Sequence, residues 1–127
     1  MSKRIIETPN APLPVGAYNQ AVVAGDYVYT AGQIGIKPGT GELVSSSFKA
    51  EADQVFHNIQ AVLAGTSLTL DNVVKFTVYL TDLNNYAELN EVFEKHYPKD
   101  APARSAVQVA ALPKGANVEI ECIAYCD

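Results

Sequence analysis

One arginine, a pair of glutamates and one tyrosine are the residues of this chain whose types and spacing point to chemistry. The run Pro102-Ala103-Arg104-Ser105-Ala106 sets a guanidinium in an apolar, strand-like stretch, and Glu119-Ile120-Glu121 follows after the turn Leu112-Pro113-Lys114-Gly115. A guanidinium at a partly buried strand position is costly unless a carboxylate meets it, and its planar fork suits that group bidentately. Strand alternation puts Arg104, Ala106 and Gln108 on one face of the first stretch, and Glu119, Glu121, Ile123 and Tyr125 on one face of the second. Antiparallel pairing of the two would bring Arg104 near a glutamate. Two readings then stand together: an internal ion pair, or a clamp for a carboxylate-bearing ligand with one acid left to hold a water. Tyr18, directly after the stiff loop Ala11-Pro12-Leu13-Pro14-Val15-Gly16-Ala17, either closes over a site or packs.

Other chemistries find less support. His57 falls off the apolar face of its helix and His96 ends another, so both are expected at the surface, and neither has a Ser or Cys nucleophile beside it. Lys114 reads as a solvated turn tip. Cys122 and Cys126 lie in one expected strand, where about 3.3 Å per residue separates them by about 13 Å, too far for a disulfide. Two thiols without a framework fit a reducing compartment, and two Cys with two distant His make a poor zinc site. The glycines of Lys37-Pro38-Gly39-Thr40-Gly41 match neither a phosphate-binding loop nor a dinucleotide fingerprint.

The elements that must position these residues follow from periodicity. The chain has 127 residues, enough for one domain over residues 1–127. It is 48% hydrophobic and 18% charged, an ordinary globular composition. Its net charge of −5 and pI near 4.9 disfavour binding to nucleic acid or anionic membranes and shift attention to small molecules. Neither a signal-type apolar region nor a run long enough to span a bilayer is visible. The cytoplasm is the expected location, with the mitochondrial matrix and nucleus as alternatives.

Gln20–Ala24, Gly25-Asp26 and Tyr27–Ile34 read as a hairpin, and Ser47 to Ala64 as an amphipathic helix with serine caps and Gly65 as its stop. In that helix Phe48, Ala52, Val55, Phe56, Ile59, Val62 and Leu63 share one face. Val73–Leu80 reads as a half-buried strand with Val74, Phe76, Val78 and Leu80 inward. Asn85 to His96 reads as a second helix with an Asn85/Glu88 capping pair, and Ala103–Ala110 and Asn117–Tyr125 as the last two strands. The order β-β-β-α-β-α-β-β predicts an α+β fold, a mixed sheet with two helices on one face.

Read together, Ala17-Tyr18-Asn19-Gln20-Ala21, Ala31-Gly32-Gln33-Ile34, Asn72-Val73-Val74-Lys75, Asp82-Leu83-Asn84, Pro102-Ala103-Arg104-Ser105, Leu112-Pro113-Lys114-Gly115 and Glu119-Ile120-Glu121-Cys122-Ile123-Ala124 resemble the reactive-intermediate deaminase (Rid, or YjgF-type) family over nearly the whole chain. The resemblance implies a chorismate-mutase-like (bacillus-type) domain that assembles as a homotrimer, with a central β-barrel and clefts between subunits. It implies hydrolysis of 2-imino acids, such as 2-iminobutanoate and 2-iminopropanoate, to 2-keto acids and ammonia, without metal or cofactor.

On that resemblance Arg104 clamps the substrate carboxylate, Glu119 orients the attacking water and helps move its proton, and Tyr18 and Gly32 line the cleft. Tyr86 and Asn90 enter from the neighbouring subunit. Ala31 and Ala106 stand where many members carry serine and cysteine; Ala106 also occurs in animal-type members, whereas Ala31 removes a hydroxyl from the cleft. The alternatives are an endoribonuclease or translation inhibitor, and a non-catalytic binder of small carboxylates with a role in mitochondrial maintenance.

Overall fold

Alternating apolar residues, a capped amphipathic helix and glycine turns generate most of the architecture. The structure is a computed structural model that describes residues 3–126. Among these, six strands form one sheet: β1 (Arg4–Ile6), β2 (Ala21–Ala24), β3 (Tyr27–Thr30), β4 (Val73–Leu80), β5 (Ala103–Gln108) and β6 (Val118–Tyr125). Helix α1 (Phe48–Ala64) follows β3, and α2 (Tyr86–His96) links β4 to β5. The order across the sheet is β1-β2-β3-β6-β4-β5. All pairs are antiparallel except β4–β5, which needs a crossover and uses α2 for it.

Both helices cover one face. Phe76, Val78 and Leu80 of β4 and Val118, Ile120, Cys122 and Ala124 of β6 point into a core closed by Val55, Phe56, Ile59 and Val62 of α1 and Leu89 and Phe93 of α2. At its centre Phe56, Phe76 and Phe93 meet edge to face with ring centroids 4.9 to 5.7 Å apart. The opposite face carries Ile5, Tyr27, Tyr29, Val107 and Tyr125, all exposed, together with Lys75, Thr77, Glu119 and Glu121. A sheet covered on one side only leaves that apolar surface in water.

Three expectations are corrected. The last two strands do not pair: β4 lies between β5 and β6, so Thr77 has Ser105 on one side and Glu121 on the other. Val74 is exposed, because a bulge between Val73 and Lys75 turns it outward while Val73 takes the buried place. Asn85 makes no side-chain cap; the chain enters α2 through a short 3-10 turn whose first amides are met by Asp82, which accepts from the Asn84 N–H at 2.9 Å. Gly65 does end α1 as expected, with right-handed dihedrals (φ −63°), and the left-handed residue is Ser67 (φ 64°). What requires a glycine at 65 is proximity, since a Cβ there would lie 3.0 Å from Cγ2 of Ile6.

Candidate functional site

The acid side of the site is built where the chain leaving β3 crosses the start of β6. Gln33 and Ile120 exchange two backbone hydrogen bonds, at 2.8 and 3.0 Å, which lays residues 31–36 beside β6. Gly32 then sits so close to Glu119 that a Cβ would come within 2.8 Å of its carboxyl carbon. A side chain at 32 would have to displace the Glu119 carboxyl. Glu119 points to the uncovered face, and partial burial, followed by the like charge of Glu121, raises its carboxyl above the ordinary carboxylate range. Opposite it on β4, Tyr79 donates its hydroxyl to Glu121 at 3.1 Å; burial and that bond raise the phenol as well.

A cavity of about 470 Å³ opens in front of Glu119, lined also by Pro12, Tyr18, Gly32, Lys37 and Lys114. The proline loop that forms one wall is held by Gln20, which is 1% exposed. Its side-chain oxygen accepts from the Thr8 N–H at 2.7 Å, and its amide donates to the carbonyls of Thr8, Ala11 and Pro12 at 3.0, 3.3 and 2.8 Å. Tyr18 stands at the rim, half exposed, where its hydroxyl accepts the Val15 N–H at 3.4 Å. Lys114 is exposed in its turn as expected, takes a left-handed backbone (φ 57°), and also borders the cavity.

Arg104 belongs to a different wall. It lies on the helix-covered face of β5, the free edge strand, beneath α2. Its Nη2 donates to the Tyr86 hydroxyl at 2.9 Å and to Oδ1 of Asn90 at 2.7 Å, and its guanidinium carbon stands 4.6 Å from the centre of the Phe93 ring. Among the described residues no carboxylate pairs with it. Its Nε and Nη1 make no hydrogen bond among the described residues, and it borders a hollow of about 270 Å³ lined also by Asn90, Phe93, Glu94, Tyr97, Ala101 and Pro102.

The structure thus brings Tyr18, Gly32 and Glu119 together, with Ala31 adjacent in the chain. Separately it brings Arg104, Tyr86 and Asn90 together, with Ala106 two residues on along the same face of β5. Tyr86 and Asn90 therefore reach Arg104 within one chain and do not come to it from a neighbour. The internal Arg104–glutamate pair is ruled out, because the two residues face opposite sides of one sheet with β4 between them.

His96 is not at the surface: its ring stacks on Phe56 at 4.4 Å and its Nε2 meets Asp53 at 2.9 Å. Cys122 and Cys126 are both free thiols, and burial pushes Cys122 up to about 12, which removes it as a nucleophile. No cluster of metal-ligating side chains occurs among the described residues. Gln20, Lys37, Glu51 and Asn58 carry structural weight that sequence reasoning missed. The signal for the last two was present: seven residues apart, they share a helix stripe with Val55 and Val62.

Comparison with known proteins bears out the fold. The family model described as Endoribonuclease L-PSP matches residues 8–126. A RutC family protein of Pyrococcus horikoshii is 47% identical over 123 residues, covering 97% of this chain and 98% of that protein. The 2-iminobutanoate/2-iminopropanoate deaminase of Rattus norvegicus is 43% identical over 122 residues, covering 96% of this chain and 89% of its own. The crystal structure of E. coli TdcF with bound serine superposes with a TM-score of 0.90 at 40% identity, covering 98% and 99% of the two chains.

Proposed function

Because the chain belongs to the endoribonuclease L-PSP family, the Rid or YjgF type, we propose that it hydrolyses 2-imino acids to 2-keto acids and ammonia in clefts between the protomers of a homotrimer. The observation that carries this reading is Arg104: a guanidinium held in place by two neutral oxygens, with no carboxylate of its own, at the open edge of the sheet. Its Nη2 makes both of these bonds, which leaves Nε and Nη1 as the pair for a bidentate grip on a small carboxylate. A relative named as an imine deaminase, and another that holds serine, an amino acid with the same carboxylate and α-nitrogen, support that substrate class.

A single chain cannot place Arg104 and Glu119 on one four-carbon molecule, since they face opposite sides of its sheet. Two copies can, if the β5 edge of one meets the Glu119 cavity of the next, and the uncovered apolar face gives the copies a reason to associate. In such a cleft Arg104 and Asn90 hold the carboxylate, and the protonated imine is already an electrophile. Glu119 of the adjoining protomer takes a proton from water as its oxygen bonds to the imine carbon, giving a carbinolamine. The same carboxyl returns that proton to the nitrogen and then takes the remaining hydroxyl proton as the C–N bond breaks, so that ammonia leaves as the carbonyl forms and the carboxyl passes its proton to solvent. A carboxyl raised above its usual range suits this double duty.

The test generates the imine with an amino-acid oxidase and traps what remains with semicarbazide. Wild type should suppress trapping and Arg104→Ala should not; no suppression by wild type, or full suppression by the variant, overturns the reading. The family's printed name also keeps an endoribonuclease in view, and Lys37 and Lys114 at the cavity rim favour it locally. Against it stand the net charge of −5 and the position of both histidines beside Asp53, away from the cavity. RNA cleavage that co-purifies with the protein and disappears in Glu119→Gln would revive it.

A further inference from the structure

Helix α1 buries two polar side chains that the proposed reaction does not use. Glu51 is 1% exposed and Asn58 is 0% exposed. Leaving such groups unsatisfied inside a protein costs several kcal/mol, and both are fully engaged. Glu51 receives the backbone N–H of Asn117 at 2.7 Å and the Asn117 side-chain amide at 2.9 Å. Asn58 donates to the carbonyls of Ile34 and Ile36 at 3.0 and 2.9 Å, while its own oxygen accepts from Gln54 at 3.0 Å.

The two strips of chain they grip are the two walls of the acid side. Asn117 lies two residues before Glu119, and Ile34 lies two residues after Gly32. The helix and the second strip are also in direct contact, since a Cβ on Gly35 would fall 2.7 Å from the Glu51 carbonyl oxygen. Seven residues on a helix span two turns, about 10 Å, so one rigid rod fixes both strips from behind. Apolar side chains would bury the helix as well but would not set a distance; hydrogen bonds to named backbone atoms do.

We infer that Glu51 and Asn58 are positioning residues that fix the gap between Gly32 and Glu119, and through it the place of the proposed base. This rests on the hydrolase reading for its catalytic consequence only. The groups facing Glu119 are Glu121 on its own strand, Tyr79 on β4, Tyr18 on the proline loop, and Lys37 and Lys114 around the cavity. None of them is altered by changes at 51 or 58, so a change in Glu119 titration reports its placement.

In Glu51→Ala, and independently in Asn58→Ala, kcat for imine hydrolysis should fall about ten-fold or more with KM within about two-fold. The Glu119 carboxyl carbon, followed by NMR, should titrate closer to the ordinary carboxylate range as the gap loosens and water enters. Glu51→Gln should restore both, because its oxygen can accept the Asn117 N–H and its amide can donate to a flipped Asn117 side chain. If Glu51→Ala does not fold, Asn117→Ala, which keeps the backbone bond to Glu51 and loses its side-chain bonds to Glu51 and Thr81, carries the comparison with Asn58→Ala. Folded variants with an unmoved Glu119 titration, whatever their kcat, overturn the inference. Since the titration needs no turnover, absence of hydrolysis in wild type would defeat the hydrolase reading without deciding this one.

Discussion

At the scale of single residues, charge and shape can be separated at Arg104. Lysine keeps the charge but loses the planar fork and the stacking on Phe93. Arg104→Lys should cut kcat/KM about ten-fold, and Arg104→Ala about a hundred-fold, in line with charge-assisted bonds of roughly 1.5–3 kcal/mol each. Both should fold normally, which thermal unfolding checks. Glu119 makes a prediction about pH whose sign is unusual for a carboxylate. Its folded-state pKa stands above the unfolded value of about 4.5. Its contribution to folding is therefore greatest below the unfolded pKa and is lost as pH rises through the folded one. Glu119→Gln should gain stability on wild type from acid toward neutral pH while losing about a hundred-fold or more in kcat. Parallel denaturation curves at all pH values would contradict this.

At the scale of elements, two glycines a few residues apart should fail differently. An added Cβ at Gly32 meets the end of a flexible side chain, whereas one at Gly35 meets the Glu51 backbone carbonyl at 2.7 Å. Gly32→Ala should leave the melting temperature nearly intact and lower kcat; Gly35→Ala should destabilise the fold by about 1–3 kcal/mol, read from urea denaturation. The docking of α2 on α1 carries the opposite pH sign to Glu119. Burial by itself would raise Asp53, but the bonds from His96, at 2.9 Å, and Lys95, at 3.0 and 3.1 Å, outweigh it and hold the carboxyl below its usual range. That stabilisation is present above the unfolded pKa of about 3.8 and is lost as pH falls through the lower folded value. Asp53→Asn should cost about 1 kcal/mol at neutral pH, a figure reduced for partial exposure, and the two unfolding curves should converge in acid.

At the scale of the whole molecule, the separation of Arg104 from Glu119 makes the shared cleft directly testable. Arg104→Ala and Glu119→Gln should each be nearly inactive alone. If they are unfolded together and refolded as mixtures, about a quarter of the clefts in the proposed trimer receive an intact arginine from one protomer and an intact glutamate from the next. Activity should recover toward that fraction and should stay absent when the two folded proteins are mixed without exchange. No recovery after verified mixing would place both residues in one protomer's site, against the geometry of the sheet. Val107 and Tyr29 on the uncovered face are the natural places to block assembly, and a charge at either should yield monomers by light scattering.

The sequence by itself determined the elements, because helix and strand periods and turn glycines are local properties: α1 and β4 end where periodicity puts them, and outside the bulge at Val74 the face of each β4 and β6 residue follows from alternation. It also singled out Arg104 by cost, since a charge in an apolar strand demands a partner, while only the family resemblance chose Glu119 over Glu121. What it left open was which strands are neighbours. Pairing is a long-range matter, and the insertion of β4 between β5 and β6 turned an expected ion pair into two half-sites on opposite faces. The bulge at Val74, the close approach at Gly32 and the reach of Glu51 to Asn117 were likewise decided only when distant segments met. Nothing in a local window records the distance between two pieces of chain sixty-six residues apart.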